Sequence, residues 1–174
     1  IPYFNCFSIV DERCAAHVAL GMAQQLRKPV AMICTSGSAL LNYYPAIAEA
    51  FYSEIPLIVI SADRPVHKID IADGQTIRQQ HVFSNHILEE VQLEPIMVTD
   101  NSAAIVLNED KLNLAINAAI SSNGPVHINI PFEEPLYEMV DEAQISVSSI
   151  TNKIAPIKSD IDNFIGDYLR SSRK

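Results

Sequence analysis

No stretch of this 174-residue chain approaches the roughly 20 consecutive apolar residues that a bilayer-spanning helix needs, and neither a membrane segment nor a signal peptide is expected. Basic residues are scarce. Twelve Lys and Arg stand against 21 Asp and Glu, for a formal net charge of −9, which argues against non-specific nucleic-acid binding. The imbalance is local: residues 1–150 hold 7 basic against 18 acidic residues, and residues 151–174 hold 5 against 3. Cysteine is limited to Cys6, Cys14 and Cys34, in apolar contexts and without CxxC spacing, so reduced, buried thiols of a cytoplasmic protein are expected. His17, His67, His81, His86 and His127 show no HxxxH or HExxH spacing, and no metal site is expected. Internal repeats and low-complexity tracts are also missing.

What is present is one domain's worth of chain with 48% hydrophobic residues, long enough to bury a sizeable core. Residues 4–10 (FNCFSIV) have the β-branched and aromatic content of a strand. From Asp11 a helix begins, with Ala15, Val18, Ala19, Met22 and Leu26 on one face, Asp11 as N-cap, and Arg27, Lys28 and Pro29 at its end. VAMIC (30–34) reads as a parallel strand covered on both faces and leads into the small-residue turn TSGS (35–38). A helix then kinks or restarts at Pro45, and LIVISA (57–62) is the next buried strand. Strand, helix, strand, helix, strand predicts an α/β, doubly wound, mostly parallel sheet with helices on both faces. Residues 63–80 interrupt the rhythm just after a strand's carboxyl end, where open α/β sheets bind ligands. A short helix and a strand at about 89–93, a helix over 109–121 and a strand over 126–130 complete the pattern. Residues 1–140 are expected to form this domain and 141–174 a linker into a following one. Because Ile1 stands where Met would open a complete chain and strand character begins at residue 3, the chain is expected to begin inside a larger protein.

Glu12, in the first turn of a helix, can be a partner of the helix macrodipole, or, enclosed between an apolar strand and a helix, a carboxylate suited to exchanging a proton with a ligand nitrogen. Neither Ser36 nor Ser38 has the flanking glycines of a nucleophile elbow, so residues 35–38 are either a structural turn or one whose amides and hydroxyls approach a ligand. Arg64, between Asp63 and Pro65, either clamps a carboxylate or pairs with an acidic neighbour. DGQ (73–75) matches the magnesium-binding GDG pattern only superficially.

VDERCAAHVALGMA, CTSGSALLNYYPAIAEAFYSEIPLIVISADRP, GQTIRQ and VHINIPFEEPLY together resemble the pyrimidine-binding domain of thiamine diphosphate-dependent enzymes. Within that superfamily ADRP and GQTIRQ are similar to the menaquinone-pathway synthases rather than to other carboligases and decarboxylases. The resemblance, over about residues 7–138, implies that Glu12 is the catalytic glutamate that hydrogen-bonds the cofactor's aminopyrimidine. It implies that Glu12, Thr35, Ser36, Gly37 and Ser38 bind cofactor, with Ser38 where the family more often has Thr. Arg64 and Gln75 are implied to face substrate, with Gly74 where relatives often carry Asn. The activity implied is decarboxylation of 2-oxoglutarate and addition of the succinyl carbanion equivalent to isochorismate. Mg2+ or Mn2+ would be held by an absent diphosphate-binding domain, and the active sites would lie between subunits of a homodimer or tetramer. The resemblance also implies that the family's first βα unit is missing ahead of Ile1, so this stretch alone is expected to be inactive. The rivals are another thiamine diphosphate carboligase or decarboxylase and a non-catalytic α/β binding module. Continuation of the reading frame into a GDG-containing segment with a following Asn separates the last of these from the rest.

Overall fold

The computed structural model describes residues 4–95 and 102–133. Its elements are α1 (Glu12–Leu26), β1 (Val30–Cys34), α2 (Ser38–Leu41), α3 (Tyr44–Tyr52), β2 (Leu57–Asp63), a 3-10 turn (Val66–Lys68), β3 (Glu89–Gln92), α4 (Ser102–Ser122) and β4 (Val126–Pro131). The strands form a four-stranded, wholly parallel sheet in the order β1-β2-β4-β3. α1 and α3 cover one face, over a core that includes Met32, Leu40, Ile47, Leu57, Val59 and Phe83; α4 covers the other, over Val91, Ala115, Ala119, Val126 and Ile128. The α/β class, the parallel sheet and the helices on both faces are therefore as expected from sequence.

Asp11 caps α1: its backbone is extended and its Oδ1 accepts the Cys14 N–H at 2.8 Å, a bond that holds the carboxyl below its ordinary pKa. Arg27 ends the helix in the left-handed region at φ 51°, two residues before Pro29. The buried face of α1 differs from the predicted one. Ala16, Ala19 and Ala23 face the core, and Val18 and Leu26 are exposed, because the alanine stripe brings the helix backbone close to β1 and α3. Pro45 lies in the first turn of α3, where its missing N–H costs nothing, and this produces the expected restart.

Residues 4–10 form no strand, contrary to their composition. A strand exists only through bonds to a neighbour, and among the described residues β1 pairs with β2 alone; Phe4, Phe7 and Val10 stay exposed. β1 has the predicted bounds but not the predicted cover. At the sheet edge its burial alternates, with Met32 and Cys34 inside and Ile33 73% exposed; two-sided burial applies to β4 instead, and β2 is buried on one face and half-buried on the other. Of the three thiols only Cys34 is buried, since Cys6 lies in the unpaired segment and Cys14 on the outer side of α1. The short helix expected before β3 is replaced by turns: His81 adopts φ 64°, which interrupts helical bonding, and its N–H is bound by the Glu90 carboxylate. α4 begins earlier than predicted, and β4 carries its pairing through Pro131.

Among the described residues no helix is long and apolar enough to cross a membrane. The readings for 134–174, namely the domain boundary at 140 and the linker, lie outside the described residues.

Candidate functional site

In a wholly parallel sheet all carboxyl ends share one edge, and the loops after β1 and β2 begin there. α1 is joined to β1 by Arg27, Lys28 and Pro29 alone and packs against it, so the helix runs back along the strand and its first turn reaches the same edge. Glu12 is thereby placed beside the end of β1. Burial pushes the Cys34 thiol up to about 11 and the negative charge of Glu12 adds to the rise. Tyr43, buried and donating its hydroxyl to the Ile33 carbonyl at 2.9 Å, is likewise raised by burial first, then by Cys34 and Glu12. Glu12 itself is half-buried, and its carboxylate makes no hydrogen bond to a described residue. The full enclosure expected for it is missing because the strand that was to precede it does not form.

Thr35, Ser36, Gly37 and Ser38 make the turn after β1, with Ser36 and Gly37 buried and Thr35 and Ser38 exposed. Gly37 has φ 86° and ψ −147°, and a β-carbon there would lie 2.9 Å from the Gln75 carbonyl oxygen. The turn thus rests directly on the backbone of the polar loop after β2. Gln75 is exposed, and with Asp70 and Ala72 it is one of three non-glycine residues of that loop at positive φ, a concentration of strain of the kind that marks binding loops. Arg64 leaves the end of β2 on the same edge, and its backbone N–H donates to Asp63 Oδ1 at 2.8 Å. The structure therefore brings Glu12, residues 35–38, Arg64 and Gln75 to one edge of the sheet, with direct contact between Gly37 and Gln75. An apolar pocket of about 230 Å3 lined by Tyr44, Pro45, Ala48 and His86 includes none of these residues.

A buried polar layer beneath this edge went unread in the sequence. On the face covered by α1 and α3 the amino half of β2 buries Leu57 and Val59, while its carboxyl half buries Ser61 and Asp63. Asn129 donates to Asp63 Oδ2 and to Gln92 Oε1, both at 2.6 Å, and accepts from Ser61 at 2.6 Å and from Gln79 Nε2 at 2.8 Å. Gln79, fully buried, also donates to the Ala62 carbonyl at 2.9 Å and accepts the Gly37 N–H at 2.7 Å. The available signal was polar residues at alternating positions of apolar strands: Ser61 and Asp63 in LIVISAD, His127 and Asn129 in VHINI.

Because Ser61 gives its only proton to Asn129, His127 Nε2 donates to Ser61 at 2.8 Å, and Nδ1 is left as a buried acceptor without a partner. Burial pushes the imidazole down to about 4, so it is neutral in the folded protein at neutral pH. The unfolded chain takes up the proton near 6.5. Stability should therefore fall as pH drops from about 6.5 towards 4 and level off below, a loss of about 3 kcal/mol. Asp63, whose carboxyl is raised by burial, contributes with the opposite sign on the acid side. Denaturation midpoints at several pH values, compared between the parent and His127→Gln, isolate the imidazole; parallel slopes would refute its role.

Residues 2–93 match the family model described as thiamine pyrophosphate enzyme, N-terminal TPP binding domain, where pyrophosphate and diphosphate name the same cofactor. The chain is 52% identical over 97% of its length to the 2-succinyl-5-enolpyruvyl-6-hydroxy-3-cyclohexene-1-carboxylate synthase of Christiangramia forsetii, of which it covers 32%. It is 62% identical over 87% of its length to the synthase of the same name from Flavobacterium johnsoniae, and 61% identical over 86% to that of Flavobacterium psychrophilum, covering 26% of each. The chain thus spans between a quarter and a third of the length of these curated relatives. With more than half of its residues matched by the family model and its parallel α/β sheet in place, this chain belongs to the thiamine pyrophosphate enzymes as a member of their N-terminal TPP-binding domain family.

Proposed function

We propose that this chain is the pyrimidine-binding part of a synthase that decarboxylates 2-oxoglutarate and adds the succinyl unit to isochorismate in menaquinone biosynthesis, with Glu12 as its catalytic carboxylate. The observation that carries the reading is the Glu12 side chain at the carboxyl edge, close enough to Cys34 at the end of β1 to raise its thiol, and without a hydrogen bond to a described residue. Such a carboxylate is free to hold a proton against a ring nitrogen, so the residues present fit the aminopyrimidine half of thiamine diphosphate. When bound, the cofactor supplies the electron sink for decarboxylation and carbon–carbon bond formation. Glu12 would orient the pyrimidine and hold or release the proton at its ring nitrogen. Thr35, Ser36, Gly37 and Ser38 would line the pyrimidine side, and Arg64 and Gln75 would meet the acidic substrates. The diphosphate and its Mg2+ or Mn2+ would be held by another part of the enzyme or by a second subunit, in a cytoplasmic homodimer or tetramer. Residues 1–140 would form the domain, and 141–174 would lead into the next.

The full-length enzyme should consume isochorismate and release carbon dioxide from 2-oxoglutarate only when thiamine diphosphate and Mg2+ are supplied. Turnover of other 2-oxo acids alone would favour a different carboligase, and binding without turnover would favour a non-catalytic module. Arg64→Ala should raise KM for an acidic substrate roughly tenfold, as expected for loss of a charge-assisted hydrogen bond. Unchanged kinetics for both substrates would remove Arg64 from carboxylate recognition.

A further inference from the structure

We infer that Gln79 is a positioning residue for this site: its buried side-chain amide sets the Gly37 turn and, through the contact of Gly37 with the Gln75 backbone, the placement of Gln75. The inference rests on the functional reading above for what the turn and Gln75 meet, and on geometry alone for how Gln79 holds them.

Gln79 is fully buried although it leaves a loop rather than a strand. Its two amide ends do different things. Nε2 donates to the Ala62 carbonyl at 2.9 Å and to Asn129 Oδ1 at 2.8 Å, with Ser61 Oγ at 3.3 Å, which anchors the amide to the ends of β2 and β4. Those three acceptors settle which end is nitrogen, so Oε1 faces the turn and accepts the Gly37 N–H at 2.7 Å. Asn129 is itself fixed by Asp63 and Gln92. The Gly37 amide is thus tied to the rigid sheet through the side chain of Gln79, a residue 42 positions away in sequence.

The coupling to Gln75 is steric. Gly37 lies so close to the Gln75 carbonyl oxygen, carbonyl carbon and Cα that even a β-carbon would stand 2.9, 3.1 and 3.2 Å from them. A turn that shifts by a few tenths of an ångström moves the backbone that carries Gln75. Fully buried, Gln79 offers no surface to substrate or cofactor; it acts through the turn.

The test uses the full-length enzyme as parent, Gln79→Leu and Gln79→Glu. In the cofactor-free Gln79→Leu protein the Gly37 amide should exchange with solvent roughly tenfold faster, because its buried acceptor is gone. In the loaded enzyme kcat/KM for 2-oxoglutarate should fall about tenfold or more, since small displacements of a positioning group have effects of that order. Gln79→Glu separates the hydrogen bond from simple packing. When protonated, the acid can accept from Gly37 and donate to Asn129 or Ala62; ionised, it faces those acceptors with negative charge. Its kcat/KM should therefore approach the parent's at low pH and decline as pH rises, at a lower pH than the circular dichroism signal of folding.

Unchanged Gly37 exchange in Gln79→Leu overturns the proposal, as does faster exchange with kcat/KM within about twofold of the parent. So does a Gln79→Glu enzyme whose activity relative to the parent is flat with pH or is lost together with the fold. If Gln79→Leu does not fold, the pH profile of Gln79→Glu decides alone. A parent that does not consume 2-oxoglutarate overturns the functional reading instead, and Gly37 exchange still decides whether Gln79 holds the turn.

Discussion

A full-length enzyme carrying Glu12→Gln should exchange the C2 proton of bound thiamine diphosphate about 10²- to 10⁴-fold more slowly than the parent, the range lost when a general acid–base group is removed. Gln keeps the size of Glu and can still make a hydrogen bond, but it cannot take a proton and return it. Half-buried at the start of α1, with no hydrogen bond to a described residue, the Glu12 carboxylate is held by position alone, so the substitution should leave the fold intact. Quenched-flow deuterium exchange read by NMR measures the step directly. Asp11→Asn is the internal control: Asn caps a helix about as well as Asp, and the neighbouring acid is occupied by the Cys14 N–H. Exchange near the parental rate in Glu12→Gln, or equal losses in both variants, would show that the carboxylate of Glu12 does not carry the chemistry.

The second large effect is expected at Gly37. Gly37→Ala places a β-carbon on a backbone at φ 86° and ψ −147°, a conformation that costs a residue with a side chain about 1–3 kcal/mol. The same carbon would meet the Gln75 carbonyl oxygen at 2.9 Å, and backbone atoms cannot turn aside as the end of a long side chain can. Relief requires the turn to part from the 70–75 loop, which also pulls the Gly37 N–H from Gln79. Urea denaturation should register the strain, and kcat/KM should fall roughly 10²-fold, the scale reached by an ångström-sized misplacement. Parental values in both measurements would mean that turn and loop adapt independently.

Gly74 provides the contrast. A β-carbon there meets nothing within 4 Å, so the Asn that the family resemblance implies for that position would meet open space at its first carbon rather than a conflict. A glycine in the contact and one that immediately precedes Gln75 thus have opposite expected sensitivities, and only their surroundings distinguish them.

Much of the architecture was legible because it depends on local rules. The bounds of β1, the capping by Asp11, the restart at Pro45 and the pairing of apolar runs with helices follow from propensity, capping chemistry and hydrophobic period, each of which acts over a few residues. The errors have the opposite character. FNCFSIV has the composition of a strand but no neighbouring edge among the described residues, and VAMIC reads as a central strand but sits at the margin. α1 turned its alanines rather than Val18 and Leu26 to the core because close approach to β1 and α3 outweighed side-chain size. None of these outcomes is written within the segment concerned.

The candidate site divides in the same way. Glu12, residues 35–38, Arg64 and Gln75 could be named from sequence because each lies within a short motif or at a strand end. Gln79, Ser61, Asn129 and Asp63 could not. Their bonds to one another span 18 to 68 residues, and a Ser or Asn in an apolar run gives no sign of whether a partner will arrive. Local composition settled that this chain alternates strand and helix, and where a carboxylate opens a helix at a sheet's carboxyl edge. The packing of distant strands decided which polar groups were buried together, because removing them from water is tolerable only when every donor finds its acceptor, and the partners are supplied by the fold.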